Sequence, residues 1–155
     1  AASDVYKRQA YPILQRDLLL TAAMCHDIGK VKEISAFPVN DYTDDGQLLG
    51  HIVMGAQMVG ERAAKIDGFP HNLLAELQHC ILAHHGELEY GSPKKPALPE
   101  ALALNLADNT DAKMETLTEM FASAGQQKEW IGYNRLFESN FRKASCEQEG
   151  SVHGI

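Results

Sequence analysis

Met24-Cys25-His26-Asp27-Ile28-Gly29-Lys30 places an imidazole beside a carboxylate at the end of an apolar helical run, with a glycine and a lysine close behind. Upstream, from Ile13 to His26, Leu14, Leu18, Leu19, Ala22 and Cys25 recur at three- and four-residue steps, which predicts an amphipathic helix closed by Asp27. A turn at Gly29 leaves the Lys30 ammonium next to the His-Asp pair, a cation where a phosphate can sit. Downstream, His51, the pair His84-His85 and Asp108 follow at helix-sized intervals. Imidazole nitrogen and carboxylate oxygen together suit a borderline-hard divalent cation, and distant residues converge on one when each is carried by its own helix. The pattern predicts metal-assisted hydrolysis on an all-α helical bundle.

Leu48, Ile52, Val53, Ala56, Val59 and Ala63 mark a second helix, ended by Asp67-Gly68 and Pro70, with His51 on its first turn. Leu73, Leu74, Leu77, Cys80, Ile81 and His84 keep the helical period in a third, so His84 is expected to face the core. Adjacent helical residues diverge by about 100°. His84 and His85 can therefore meet one ion only if the helix ends there, and Gly86 is the signal that it does. In a later long helix Ala101, Leu102, Asn105, Asp108 and Ala112 share one stripe, where a carboxylate needs a partner. Asp111, one turn on, is either support for that carboxylate or an exposed acid.

Between the first two helices, Val31 to Thr43 holds β-branched and aromatic residues broken by Pro38 and followed by Asp44-Asp45-Gly46, which allows at most a small β-hairpin. Glu87 to Pro99 is a proline-stiffened loop around Lys94-Lys95. Trp130 to Phe141 is a final amphipathic segment, and residues 144–155 are expected to form a flexible tail. His71 and His79 fall away from the proposed metal face, and His153 lies in the tail.

With 155 residues, 45% of them hydrophobic, the chain can bury one ordinary core, so a single domain over residues 10–143 is expected. A formal net charge of −7 argues against gripping nucleic acid by overall field, so a polyanion must be held locally. Three cysteines without Cys-x-x-Cys spacing fit a reducing cytoplasm, and no apolar run approaches the roughly 18 residues of a membrane span. Ala1 to Gln9 matches the translation of a transposase-based sequencing adapter, which leads to the expectation that natural sequence begins near Ala10 with its N-terminal part missing.

These residues, on four successive helices, resemble the HD-domain metal-dependent phosphohydrolases, an all-helical superfamily, over about Tyr11 to Lys143. More narrowly, the blocks starting at His26 (His-Asp-Ile-Gly-Lys-Val-Lys-Glu), Leu48 (Leu-Leu-Gly-His-Ile-Val), Leu82 (Leu-Ala-His-His-Gly-Glu-Leu-Glu-Tyr-Gly-Ser-Pro) and Ala107 (Ala-Asp-Asn-Thr-Asp-Ala-Lys-Met) are similar to the YhaM-type 3′-to-5′ exoribonucleases. The resemblance implies one metal on His26, Asp27, Asp108 and an upstream histidine, and a second on His51, His84 and His85, with Asp27 bridging. It also implies an upstream OB-fold that binds single strands; residues 10–24 contain no histidine, so the first ligand would lie upstream. Asp27 and Lys30 would act in catalysis, with manganese the favoured metal and iron, cobalt or zinc also accommodated, as one or two ions. The implied substrate is single-stranded RNA, with single-stranded DNA as a variant; a homo-oligomer is compatible with the sequence and a membrane partner is not expected. The alternatives are a phosphohydrolase of small nucleotides or cyclic dinucleotides, and a non-catalytic nucleotide-binding module.

Overall fold

The computed structural model describes residues 11–124 and 129–144. The first nine residues, and the tail from residue 145 on, lie outside the described residues. The chain divides into two compact units, Ala1–Thr110 and Asp111–Ile155.

In the first unit, α1 (Arg16–Cys25) buries Leu18, Leu19 and Ala22, the stripe read from the sequence. It begins later than Ile13 because Gln15 is its N-cap, in extended conformation, and donates its backbone N–H to the buried Glu100 carboxylate. A four-residue helix, α2 (Lys30–Glu33), follows the His-Asp turn. Next comes α3 (Asp44–Ala63), started by Thr43, whose hydroxyl accepts the Gly46 N–H at 2.9 Å. Gly50 breaks α3 internally, with φ 72° and ψ 159°, so a new helical segment starts at His51. Leu48, expected in the apolar stripe, lies before this break and is 81% exposed.

Helix α4 (His71–Leu82) buries Leu77, Cys80 and Ile81 and stops at Leu82, two residues before the double histidine. A loop with a 3-10 turn (Leu88–Tyr90) leads to α5 (Pro99–Ala124). The core joins Leu18, Leu19 and Ala22 of α1, Leu77 and Cys80 of α4, Ala83, and Ala101 and Leu104 of α5. Burying such side chains is the main driving force available to a chain of this size. No helix among the described residues is long and apolar enough to cross a membrane.

The hairpin allowed between the first helices is reduced to one antiparallel bridge, Ile34 with Tyr42, at the base of a loop containing a cis Phe37-Pro38 bond. The two-stranded sheet belongs to the second unit, where β1 (Trp130–Asn134) pairs antiparallel with β2 (Ser139–Arg142). Strand formation over residues 130–142 follows from aromatic and β-branched residues around a turn, in which Asn134 Oδ1 accepts the Leu136 N–H at 2.8 Å. Gly132, at φ 99°, takes up the register shift in β1.

Cys80 is fully buried in the first unit's core, and burial, with Glu100 and Glu76 nearby, pushes its thiol up to about 12. Cys25 is half-buried and its thiol is raised by burial as well. Iodoacetamide at pH 8 is therefore expected to leave Cys80 unmodified in the native protein and to alkylate it once denaturant is added. Peptide mapping that finds Cys80 labelled natively at the rate of Cys25 would contradict this packing.

Candidate metal centre

Three breaks in helical structure bring most of the site together. His26 is the C-cap of α1, its N–H still bonded to the Ala22 carbonyl at 2.8 Å, and Asp27 occupies the turn that follows. His51 opens the second segment of α3 after the Gly50 break. His84 and His85 sit in the turn after α4, closed by Gly86 at φ 81°. Only Asp108 projects from uninterrupted helix, on α5.

Asp27 stands between two groups of ligand atoms. Its Oδ2 lies 3.4 Å from His26 Nε2, which is itself 3.6 Å from Asp108 Oδ1. Its Oδ1 lies 3.6 Å from His51 Nε2 and 3.9 Å from His84 Nε2. One nitrogen from each of His51, His84 and His85 falls within 4.8 Å of the others, a group that can hold a metal ion. The ring centroids of His84 and His85 are 4.3 Å apart, which two neighbouring histidines could not achieve on a continuing helix. Lys30 Nζ donates to Asp27 Oδ2 at 2.7 Å.

Each histidine is held by Nδ1. The acceptors are the Ala23 carbonyl for His26 at 2.8 Å, the Ile81 carbonyl for His84 at 2.7 Å, the Tyr90 carbonyl for His85 at 2.8 Å, and Glu33 Oε1 for His51 at 3.1 Å. Carbonyl and carboxylate oxygens only accept, so Nδ1 carries the proton in all four and Nε2 is the free atom. Asp27 Oδ1, His51 Nε2 and His84 Nε2 are buried without a hydrogen-bond partner. Leaving three such atoms bare costs about 1–3 kcal/mol each unless something else satisfies them. A divalent cation is a group that satisfies all three, so these residues fit one.

Electrostatics favour the same state. Burial pulls His84 down to about 4, so its imidazole is neutral at physiological pH, as a ligand must be. For Asp27 burial pushes upward, but the Lys30 hydrogen bond and the charges of His26, Lys30 and His51 outweigh it, and the carboxyl lies below its ordinary value. It is ionised in the range where His84 is neutral.

The seven residues read from the sequence, His26, Asp27, Lys30, His51, His84, His85 and Asp108, thus gather in the first unit. His79 stands apart, accepting the Ala97 N–H on Nε2 at 2.8 Å, and Lys95 is paired with Glu87 at 2.6 Å. Asp111 is exposed and belongs to the second unit; His153 lies outside the described residues. Three supports escape a reading of the sequence. Glu33 is buried against His51. Ser92, 2% exposed, accepts the His85 N–H at 3.1 Å. Asn105, one turn before Asp108, donates to the His84 carbonyl at 2.8 Å and packs so closely on Gly86 that a Cβ there would lie 2.8 Å from its Cγ. The signal that could have found them is polarity in an apolar helical stripe for Asn105, and the family-like block itself for Glu33 and Ser92.

The HD domain family model matches residues 5–113. Among curated proteins the chain is similar to the 3'-5' exoribonuclease YhaM of Geobacillus sp. (strain WCH70), 47% identical over 109 residues, which cover 69% of this chain and 33% of that protein. It is 45% identical to the 3'-5' exoribonuclease YhaM of Bacillus subtilis (strain 168) over 107 residues, 69% of this chain and 34% of that one. For the protein of the same name from Shouchella clausii (strain KSM-K16) the figures are 42% over 109 residues, 70% and 34%. The chain spans about a third of the length of these relatives. No solved structure gives a significant match.

Proposed function

Because the chain belongs to the HD domain family, we propose that it carries the hydrolytic centre of a metal-dependent 3′-to-5′ exoribonuclease, cleaving the 3′-terminal phosphodiester of single-stranded RNA and releasing a nucleoside 5′-monophosphate. The observation that carries the reading is the convergence of three buried, unpartnered ligand atoms, Asp27 Oδ1, His51 Nε2 and His84 Nε2, in a chain that resembles enzymes of that name. His51, His84 and His85 would hold one cation and His26 with Asp108 would contribute to a second, with the two Asp27 oxygens shared between them. Manganese suits this mixed donor set best, and iron, cobalt or zinc can occupy it.

A bound divalent cation supplies Lewis-acid activation of water and of the phosphodiester. The chain's own residues do the rest. Asp27 keeps a negative charge at the centre, and the Nδ1 bonds fix every imidazole so that Nε2 faces inward. Lys30, half-exposed beside Asp27, is placed to neutralise charge growing on a phosphoryl oxygen. With a net charge of −7 the chain has no broad basic field with which to hold a duplex, so the substrate is a strand end held locally.

The test uses the 155-residue chain, and the same chain fused behind the upstream region of a YhaM relative. A 5′-labelled single-stranded RNA with manganese is expected to shorten stepwise from its 3′ end, to stall at a duplexed end, and to be spared when a chelator is added. RNA left intact by both proteins, while a cyclic dinucleotide or mononucleotide is hydrolysed, would replace the exonuclease reading with the small-nucleotide one. Digestion of single-stranded DNA at the same rate would widen the substrate class.

A further inference from the structure

Glu33 is, with Glu100, one of two acidic side chains buried among the described residues, at 8% exposure. It spends a single carboxylate oxygen on one residue twice. Oε1 accepts the backbone N–H of His51 at 2.9 Å and the Nδ1–H of the same histidine at 3.1 Å.

The break in α3 explains why an acceptor is needed there. With Gly50 at φ 72° and ψ 159°, the helical path is interrupted and the His51 N–H becomes a first-turn donor of the segment that follows. A carboxylate satisfies that donor and places negative charge at the positive end of the segment. The same oxygen then fixes the plane and tautomer of the His51 ring, directing Nε2 toward Asp27 and the other two histidines.

Glu33 is itself held firmly. Its carbonyl accepts the Thr43 N–H at 2.9 Å and the Thr43 hydroxyl at 3.3 Å. Gly46 lies against its backbone so closely that a Cβ there would come to 3.0 Å from the Glu33 Cα and overlap its carbonyl oxygen. The backbone on both sides of the Ile34–Tyr42 loop thus clamps the residue that orients His51.

We propose that Glu33 is a positioning residue of the His51, His84 and His85 group: it fixes His51 through two bonds to one oxygen, and its charge makes His51 a stronger donor to a divalent cation. This rests on the reading of that group as a metal site. A rival role, capping the helical segment and nothing more, needs only the bond to the backbone N–H.

Glu33→Gln separates the two, because the amide oxygen can still accept that N–H while the charge is gone. In a calorimetric titration of the chelator-stripped chain with cobalt(II), followed in parallel by visible absorption, Glu33→Gln is expected to bind about 10- to 100-fold more weakly with an altered cobalt spectrum. Its metal-free Tm should stay within about 2 °C of wild type, under roughly 1 kcal/mol for a chain of this length. Glu33→Ala should lose both affinity and Tm. Wild-type affinity and spectrum in Glu33→Gln would leave only the cap and overturn the proposal. A second measurement needs no variant: long-range proton–nitrogen spectra of the metal-free wild-type chain should show His51 as the Nδ1–H tautomer with a downfield ring proton, and an Nε2–H tautomer would overturn the proposal even if Glu33→Gln does not fold. If the wild-type chain takes up no cobalt at all, it is the metal-centre reading that falls.

Discussion

Asp27→Asn is expected to lower manganese-dependent RNA hydrolysis by on the order of 10²- to 10³-fold while the metal-free protein stays folded and loses at most about 1 kcal/mol of stability. Both expectations follow from what surrounds the carboxylate. Asp27 Oδ1 and His84 Nε2 are buried 3.9 Å apart without partners, and with His84 neutral both are acceptors. A carboxylate there serves a cation, while in the metal-free fold Lys30 and the neighbouring histidines offset its burial and hold it ionised. Asparagine has the same volume, removes the central charge, and can turn an amide N–H toward a histidine lone pair. What it gives up is the Lys30 pair, which is half-exposed and worth about 0–1 kcal/mol. Turnover near the wild-type rate would remove Asp27 from the mechanism. A Tm more than about 4 °C lower in chelator would show that the Asp27 charge is a main support of the metal-free fold, beyond the Lys30 pair.

Local pattern on one side and tertiary contact on the other separate what the sequence discloses from what it hides. His26-Asp27 was legible because a dipeptide at the end of a periodic run needs no tertiary information. His84 and His85 were legible together only through Gly86, which marked the end of the helix before their positions diverged. Asp108 followed from its stripe. Glu33 was not legible as a support, because its task is created by the Gly50 break in α3, and the apolar spacing from Leu48 to Ala63 runs across that break as if the helix were continuous. Ser92 and Asn105 serve one backbone group each, at His85 N–H and His84 carbonyl, and no periodicity encodes such a contact. In residues 130–142, Ile131, Leu136, Phe137 and Phe141 mimic a one-sided pattern, yet the Asn134 turn and Gly132 make strands of them.

Gly29 looks like a turn residue in the sequence, and the structure gives it a different reason. Its φ of −63° is open to any amino acid, so conformational freedom does not demand glycine. Space does. A Cβ at Gly29 would overlap the His51 carbonyl oxygen and lie 2.7 Å from the carbonyl carbon and 2.8 Å from the Gly55 N. All three are backbone atoms of α3 and cannot rotate away. This contact carries the Asp27 turn across α3 at the level of His51, so the absence of a side chain sets the Asp27 to His51 distance. Gly29→Ala is therefore expected to cost about 3 kcal/mol, the upper end for overpacking, which for a chain of this length lowers Tm by about 6–12 °C. Cobalt affinity should fall with it, since the turn can relieve the overlap only by moving Asp27 away from His51. Gly60→Ala is the control: in the same α3, its Cβ would meet only the Gln78 amide nitrogen at 3.0 Å, the end of a flexible side chain. There the helix propensity gained by alanine, up to about 1 kcal/mol, offsets the displacement of Gln78. Equal thermal and cobalt-binding behaviour of the two variants would mean that the close crossing of the Asp27 turn over α3 does not set the geometry of the site.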